Sequence, residues 1–328
     1  LNFKLLGNGH INDTYLAQDD QGQPYVLQRV NTSIFKDPAA LASNLEKICA
    51  FLQKSEIYPY RVPMPLSMPD GRTYRIDEAG QCWRSFPYFE NTVAPERVNT
   101  VEEAVEAARA YAVFLTVMRD FSAHKLTDTI PGFHDTVKRW EQFEAIVAAD
   151  PVGRRTAVQP ELETLRAFKP LIEHIDALKR SGALPLRVVH NDTKAGNVLL
   201  DKTTGKAVAV IDLDTAMGGT VLSDFGDMVR TFVPSEYEDE KDLSKLYMRK
   251  DILKAVTQTF LAETESWLSK TERENLMNGA RWIIAEQALR FLSDYLNGDK
   301  YYKTAYPEHN LVRAQNQLAL LHLMEARL

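Results

Sequence analysis

Val188-Val189-His190-Asn191-Asp192-Thr193-Lys194-Ala195-Gly196-Asn197-Val198-Leu199-Leu200, followed by Ala209-Val210-Ile211-Asp212-Leu213-Asp214, decides the fold. An apolar strand delivers a polar turn carrying His, Asp, Lys and Asn. A second apolar strand follows and ends on an acid. Asp192 and Asn197 stand five residues apart, and Asp212 follows Asp192 by twenty. Carboxylate and amide oxygens at such spacing suit a hard cation such as Mg²⁺. The competing reading of the turn alone is a hairpin whose polar tip is merely solvated. The second acid, after its own apolar strand, argues against that.

The same spacing occurs in the kinase catalytic loop H-R-D-x-x-x-x-N and its downstream metal-binding Asp. In that chemistry Asp192 takes the proton of an acceptor hydroxyl. Asn197 and Asp212 hold Mg²⁺, and Lys194 places a cation against the γ-phosphate of ATP. Asp224-Phe225-Gly226 spells the kinase D-F-G triplet, but it lies 32 residues beyond Asp192 and follows no apolar strand. Asp224 is expected to stabilise the catalytic loop, and His190 to have a structural role. Only twelve residues separate Asp212 from Asp224, and no A-P-E motif occurs. Without that peptide platform the acceptor is expected to be a small molecule. The chain has neither G-x-x-x-x-G-K-[ST] nor H-E-x-x-H.

Upstream, Leu5-Leu6-Gly7-Asn8-Gly9-His10-Ile11-Asn12-Asp13-Thr14-Tyr15-Leu16 reads as strand, turn, strand. Gly7 and Gly9 permit a tight turn that brings backbone N–H groups onto phosphate oxygens. Asn12 stands where a kinase loop carries its third Gly. Gln23–Val30 is a further strand. The kinase V-A-I-K, laid over Val26-Leu27-Gln28-Arg29, puts its phosphate-binding Lys at Arg29. An exposed strand arginine is the alternative there. Asp37-Pro38 starts a helix with Leu41, Leu45, Ile48 and Leu52 on one face. Glu46 on that helix either pairs with Arg29 or is solvated. Thr73–Ala79 and Cys82–Phe89 form a hairpin around Gly80. Its exit, residues 86–91, is the expected hinge, with Phe86 and Tyr88 in the nucleotide site.

Asn99-Thr100 caps a long helix whose buried stripe runs from Val101 to Met118. Further helices are expected over 162–178, 246–268 and 272–297, with a last one from about 310. Residues 236–242 form an acidic run that reads as a solvated loop or helix start. There is no internal repeat.

Composition bounds these readings. The chain has 328 residues, 45% apolar and 26% charged, with a net charge of −6. An acidic balance argues against nucleic acid as a partner. No apolar run approaches the roughly 20 residues of a membrane span, and no signal peptide is visible. Two cysteines, Cys49 and Cys82, make no disulfide framework, and a reducing cytoplasm fits. The chain begins at Leu1, so trimming of preceding residues is expected.

These motifs resemble the aminoglycoside phosphotransferase/choline kinase family and, within it, the N-acetylhexosamine 1-kinases. The segments that carry the resemblance are Gly9–Tyr15, Leu27–Asn31, His190–Asn197, Ile211–Thr215 and Asp224–Arg230. Later ones are Glu238–Lys245, Arg290–Leu296, Gly298-Asp299 with Tyr301, and His309–Arg313. The resemblance implies an α+β, bilobal, protein-kinase-like fold. A small β-rich N-lobe, residues 1–90, would bind nucleotide. A mainly helical C-lobe, residues 91–328, would carry catalysis and the acceptor site. It further implies an ATP- and Mg²⁺-dependent kinase that converts a free sugar, an N-acetylhexosamine, to its 1-phosphate. Beside Asp192, the sugar would meet Asp214, Arg290 and Tyr301. Arg290 has a competing reading as a salt-bridge partner of Asp294, and Tyr301 as core packing. Other acceptors in the family are aminoglycosides, choline and other sugars. An inactive nucleotide-binding regulator is the rival from another class, against which Asp192, Asn197 and Asp212 stand intact.

Overall fold

The computed structural model describes residues 3–6 and 11–325. They form two compact units, each discontinuous in sequence. The first comprises residues 1–96, 109–133 and 187–219; the second comprises 97–108, 134–186 and 220–328. The fold is α+β, with an antiparallel sheet in the N-lobe and a mainly helical C-lobe. The expected boundary after residue 90 falls inside the first unit, whose first segment runs to Glu96.

The first unit opens with β1 (Phe3–Leu5), β2 (Asp13–Gln18) and β3 (Pro24–Val30). Then come α1 (Pro38–Lys54), β4 (Tyr74–Ile76) and β5 (Cys82–Pro87). The five strands form one sheet in the order β1-β2-β3-β5-β4. Two of its turns are built alike. In Asp19-Asp-Gln-Gly22-Gln23 the Asp19 carboxylate accepts the N–H groups of Gln21 and Gln23 at 2.9 and 2.8 Å. In Asp77-Glu-Ala-Gly80-Gln81 Asp77 accepts those of Ala79 and Gln81 at 3.0 and 2.8 Å. The glycine sits at positive φ in both, which costs Gly little. Helix α1 starts as its sequence dictates: Asp37 accepts the Ala40 N–H at 3.0 Å ahead of Pro38. It buries Leu41, Leu45, Ile48 and Leu52.

From β5 the chain enters β6 (Thr92–Val93) and then α2 (Val101–Met118), whose residues from Arg109 onward belong to the first unit. Two further small sheets complete that unit. β7 (Arg187–Val189) pairs with β10 (Met217–Gly219), and β8 (Val198–Asp201) lies between β6 and β9 (Ala207–Val210).

The second unit holds α3 (Thr136–Ala149), α4 (Gln159–Ala167), α5 (Lys169–Arg180), α6 (Val221–Phe232) and α7 (Lys250–Thr264). It closes with α8 (Lys270–Glu274), α9 (Leu276–Leu296) and α10 (His309–Glu325). The helix expected over 162–178 is therefore two, α4 and α5. The break falls at Phe168, just ahead of Pro170, which fits a first turn but not a helix interior. The helix expected over 272–297 divides likewise at Asn275, and the one expected over 246–268 is shorter at both ends. Helix α9 is the core element, packed against α3, α5, α6 and α10. It meets α6 at a glycine pair: a Cβ on Gly226 would lie 2.6 Å from the Gly279 carbonyl oxygen. Among the described residues no helix is long and apolar enough to cross a membrane.

Candidate active site

Strand β7 delivers His190 into the core of the first unit, where it has no exposure. Tyr111 and Phe114 meet its ring edge to face. Its Nε2 donates to the Ile211 carbonyl at 3.0 Å, and its Nδ1 accepts the Asp192 N–H at 3.3 Å. Asn191 adopts φ 64°, a left-handed conformation that Asn tolerates, and donates to the Thr215 carbonyl at 3.0 Å. The Thr215 hydroxyl donates to the His190 carbonyl at 2.8 Å. These buried bonds tie residues 190–192 to residues 211–215, so the expected structural role of His190 has a concrete form.

Asp192, Lys194 and Asn197 meet in this turn. Lys194 Nζ donates to Asp192 Oδ2 at 2.7 Å, and Asn197 Nδ2 donates to the same oxygen at 2.8 Å and to the Asp192 carbonyl at 2.9 Å. Asp192 Oδ1 accepts no bond from the described residues. Burial pushes the Asp192 carboxyl up, but the Lys194 charge and hydrogen bond, with His190 and Asn197, outweigh it and hold the group below its usual value. The Ile211 N–H donates to the Asn197 carbonyl at 2.9 Å, which brings Asp212 beside Asn197.

Asp212 stands at φ 59°, ψ 53°, in the left-handed region. Its half-buried carboxylate takes no hydrogen bond from the described residues. Burial, then the charges of Asp214 and Asp192, push it up to about 6 against the opposing pull of Lys194 and Arg84. A carboxylate crowded by two others, with an amide oxygen alongside, is a fitting place for a hard divalent cation. Asn197 spends its Nδ2 on Asp192, which leaves Oδ1 for such a cation. Among the described residues no cluster of three or more His, Cys, Asp or Glu side chains could hold a metal. Two protein oxygens nonetheless match Mg²⁺, which keeps waters and takes substrate phosphates for its remaining positions.

Asp214 is buried. Its Oδ2 accepts Arg84 Nη2 at 2.7 Å and Asn12 Nδ2 at 2.8 Å. Arg84 comes from β5 and is braced by Gln28 of β3, whose Oε1 accepts Nε at 3.1 Å and Nη2 at 2.9 Å. Gln28 in turn donates to Thr14 at 3.0 Å. In the sheet register Gln28 lies opposite Thr14 and Arg84, while Val26 lies opposite Leu16 and Phe86. Side chains directly opposite share a face. One face therefore carries an apolar row, Leu16–Val26–Phe86, beside a polar row, Thr14–Gln28–Arg84.

Arg29 lies on the other face, opposite Asp13 and Trp83. Its Nε donates to Asp13 at 2.9 Å, and the pair is part-exposed. Glu46 accepts from the Thr73 hydroxyl at 2.6 Å, so the Arg29–Glu46 pair does not form. Phe86 is half-buried in the apolar row, and Tyr88 is half-buried just beyond β5. Gly7 and Gly9 lie outside the described residues. Arg84, Gln28 and Asn12 were missed in the sequence. A signal for Arg84 existed: strand alternation from Phe86 puts it on the same face.

Arg290, Tyr301 and Asp224 belong to the second unit. Asp224 is fully buried in the first turn of α6. The Arg290 guanidinium lies over the Tyr302 ring, 5.6 Å from its centre, and donates to Gln287 at 3.2 Å. Asp294, its suggested partner, accepts the N–H groups of Lys300, Tyr301 and Tyr302 at 2.9 Å each and Asn310 Nδ2 at 3.0 Å. Those four bonds fill a carboxylate's capacity. Tyr301 is 63% exposed, which rules out core packing.

The chain is similar in structure to a microcompartment-associated aminopropanol kinase, at 20% identity and a TM-score of 0.66, covering 99% of this chain and 91% of that one. An aminoglycoside phosphotransferase from Alicyclobacillus acidocaldarius matches at 15% identity and a TM-score of 0.62, covering 99% and 92%. A Plasmodium vivax ethanolamine kinase matches at 12% identity and a TM-score of 0.59, covering 100% and 84%. At such identities the likeness establishes the fold. Residues 2–245 also match the family described as phosphotransferase enzyme family (APH), and the chain belongs to that family.

Proposed function

We propose that this protein is an ATP-dependent small-molecule kinase that phosphorylates the anomeric hydroxyl of a hexose, an N-acetylhexosamine, to give the sugar 1-phosphate. The observation that carries the kinase reading is the turn in which Lys194 and Asn197 hold Asp192 Oδ2 while Asp192 Oδ1 accepts no bond from the described residues. Asp192 Oδ1 orients the acceptor hydroxyl and takes its proton. The hydroxyl oxygen bonds to the γ-phosphorus, and the bond from that phosphorus to the bridging oxygen of ADP breaks. A carboxylate of low proton affinity suits a comparatively acidic anomeric hydroxyl. Asn197 and Asp212 would hold Mg²⁺, which would supply charge neutralisation to the phosphates. Lys194 exchanges Asp192 for the γ-phosphate. Leu16, Val26 and Phe86 line the adenine, with Tyr88 nearby.

In the second unit, Arg290 and Tyr301 are the proposed sugar contacts. Five of the acids in that unit are engaged by their own chain, which supports a neutral acceptor over a cationic one. Glu286 accepts from His134 and Thr136, Asp299 from Arg154 and Asn310, Asp227 from Arg230, and Glu238 from Arg230. With Asp294 filled by amides, each of these five carboxylates is engaged by its own chain. The named kinases of similar structure act on aminopropanol, ethanolamine and aminoglycosides, so the test must include amines. ATP consumption is measured over free hexoses, N-acetylhexosamines, amino alcohols and aminoglycosides, and phosphorus NMR locates the product phosphate. A sugar 1-phosphate is the expected product. Turnover only with amines replaces the acceptor, and no turnover with any of them sinks the reading.

A further inference from the structure

Asp214 has two candidate duties: to touch the acceptor, as the sequence led one to expect, or to act inward. Its carboxylate is buried and already accepts Arg84 and Asn12. Its backbone carbonyl accepts the Thr129 hydroxyl at 2.7 Å. Asn12 immediately precedes β2. Its Oδ1 accepts the Asn31 N–H at 3.0 Å, so the same amide joins the exit of β3 to Asp214. One carboxylate thus grips β5 through Arg84, and the entry to β2 and the exit of β3 through Asn12. It sits two residues beyond Asp212, whose backbone is held in a left-handed conformation.

Stability alone is a poor reason for this arrangement. The Arg84 and Asp214 side chains are each only 4% exposed. A buried ion pair recovers its desolvation cost with difficulty, and a well-packed apolar pair often serves as well. What the pair does supply is registration between the sheet face that carries Thr14, Gln28 and Arg84 and the stretch that carries Asp212.

We infer that Asp214, Arg84 and Asn12 are positioning residues for the nucleotide and metal side of the site, and that Asp214 does not bind the acceptor. They form an internal strut from β5 to the 212–214 stretch. The inference rests on the proposed kinase reading, and deepens it by assigning which substrate these residues serve.

The test uses the full chain with Asp214→Asn, Arg84→Met, Arg84→Lys and Asn12→Ala. Calorimetry measures binding of ADP with Mg²⁺ and of adenosine without metal. Steady-state kinetics give KM for MgATP and for the acceptor, and thermal melts monitor folding. Partners that orient metal ligands are typically worth roughly 10–100-fold in metal affinity or activity. Asp214→Asn is expected to weaken Mg-ADP binding by about tenfold or more on that scale. Adenosine binding and the acceptor KM stay put, and Arg84→Lys, which keeps the ion pair, retains most of the affinity. Asn12→Ala leaves the ion pair intact and gives the same split at smaller size, should Arg84→Met fail to fold. A raised acceptor KM with unchanged Mg-ADP binding would overturn the inference and restore Asp214 to the acceptor. Parallel loss of adenosine and Mg-ADP binding with a lowered melting point would reduce the strut to fold stability. Wild-type protein that binds no Mg-ADP would overturn the kinase reading itself, which is distinct from wild-type binding that the variants leave unchanged.

Discussion

Asp192 and Asp212 of the catalytic stretch and Glu286 and Asp294 of α9 are all at least half-buried, yet they are treated in opposite ways. Asp294 has every lone pair taken, by three loop amides and Asn310. Glu286 takes His134 on one oxygen and the Thr136 hydroxyl on the other. Asp192 receives both of its side-chain bonds on one oxygen and leaves the other open, and Asp212 receives none from the described residues. A carboxylate saturated by its own chain is architecture. One with open oxygens beside like charges costs free energy to keep, and is a candidate for chemistry.

The largest effect expected from this contrast is at Asp192. Replacing it by Asn keeps shape and hydrogen-bonding size but removes the proton acceptor. General-base steps contribute roughly 10²–10⁴-fold, and kcat should fall by that order while the melting point stays near wild type. Near-normal turnover would place the open oxygen outside the chemistry. The opposite signature is expected at Asp294. Its removal strands three amide N–H groups in a structured loop, and a buried unsatisfied donor costs about 1–3 kcal/mol. Asp294→Ala should therefore cost roughly 3 kcal/mol of stability, read by denaturant melts. A stable Asp294→Ala protein with lost turnover would break the comparison.

Sequence disclosed the open acids better than the saturated ones, for a physical reason. Asp192, Asn197 and Asp212 sit at the ends of apolar strands, so a local pattern marks them. The Arg84–Asp214 bond spans 130 residues and leaves no local pattern. Helix α6 escaped notice because it buries ten of its twelve residues, Asp224 included, so no polar stripe betrays its period. The sheet was legible in its strands, and its register sets which side chains share a face. V-A-I-K laid over Val26–Arg29 puts the cation at Arg29, on the face opposite Gln28 and Arg84, and a one-residue slip exchanges the two faces. Asp299, at φ 57°, and Gly298, at φ 90°, bend the loop that Asp294 anchors, and nothing local announces that anchor.

A smaller effect sharpens the comparison at Glu286. Burial pushes its carboxyl up, but the His134 charge and hydrogen bond, with Arg139 and Arg290, outweigh it and hold the group at about 2, below the ordinary 4.5. Because the folded value is depressed, the stabilisation is fully present above pH 4.5 and is lost as pH falls toward 2. Two and a half units correspond to about 3 kcal/mol, of which only the fraction titrated above the acid unfolding point is seen. Stability of wild type minus that of Glu286→Gln, followed from pH 6 to pH 3, should shrink as pH drops. A flat difference would show that the Glu286 charge is not what the cluster depends on.

The smallest expected effect is at Arg29, and it tests the phase of the sheet. Arg29 and Asp13 face outward from a part-exposed pair, on the side that also carries Tyr15 and Trp83. Arg84 stands on the other side, joined to the 212–214 stretch. A surface ion pair is screened by solvent and contributes little. Arg29→Ala should therefore leave KM for MgATP, KM for the acceptor and kcat within about twofold of wild type, since rim charges far from a site act weakly. Arg84→Met, on the inner face, should not be so mild. If Arg29→Ala instead raised KM for MgATP by about tenfold, as loss of a charged phosphate contact would, the placement of V-A-I-K over Val26–Arg29 would be right. The outward face, not the inward one, would then carry the nucleotide's cation.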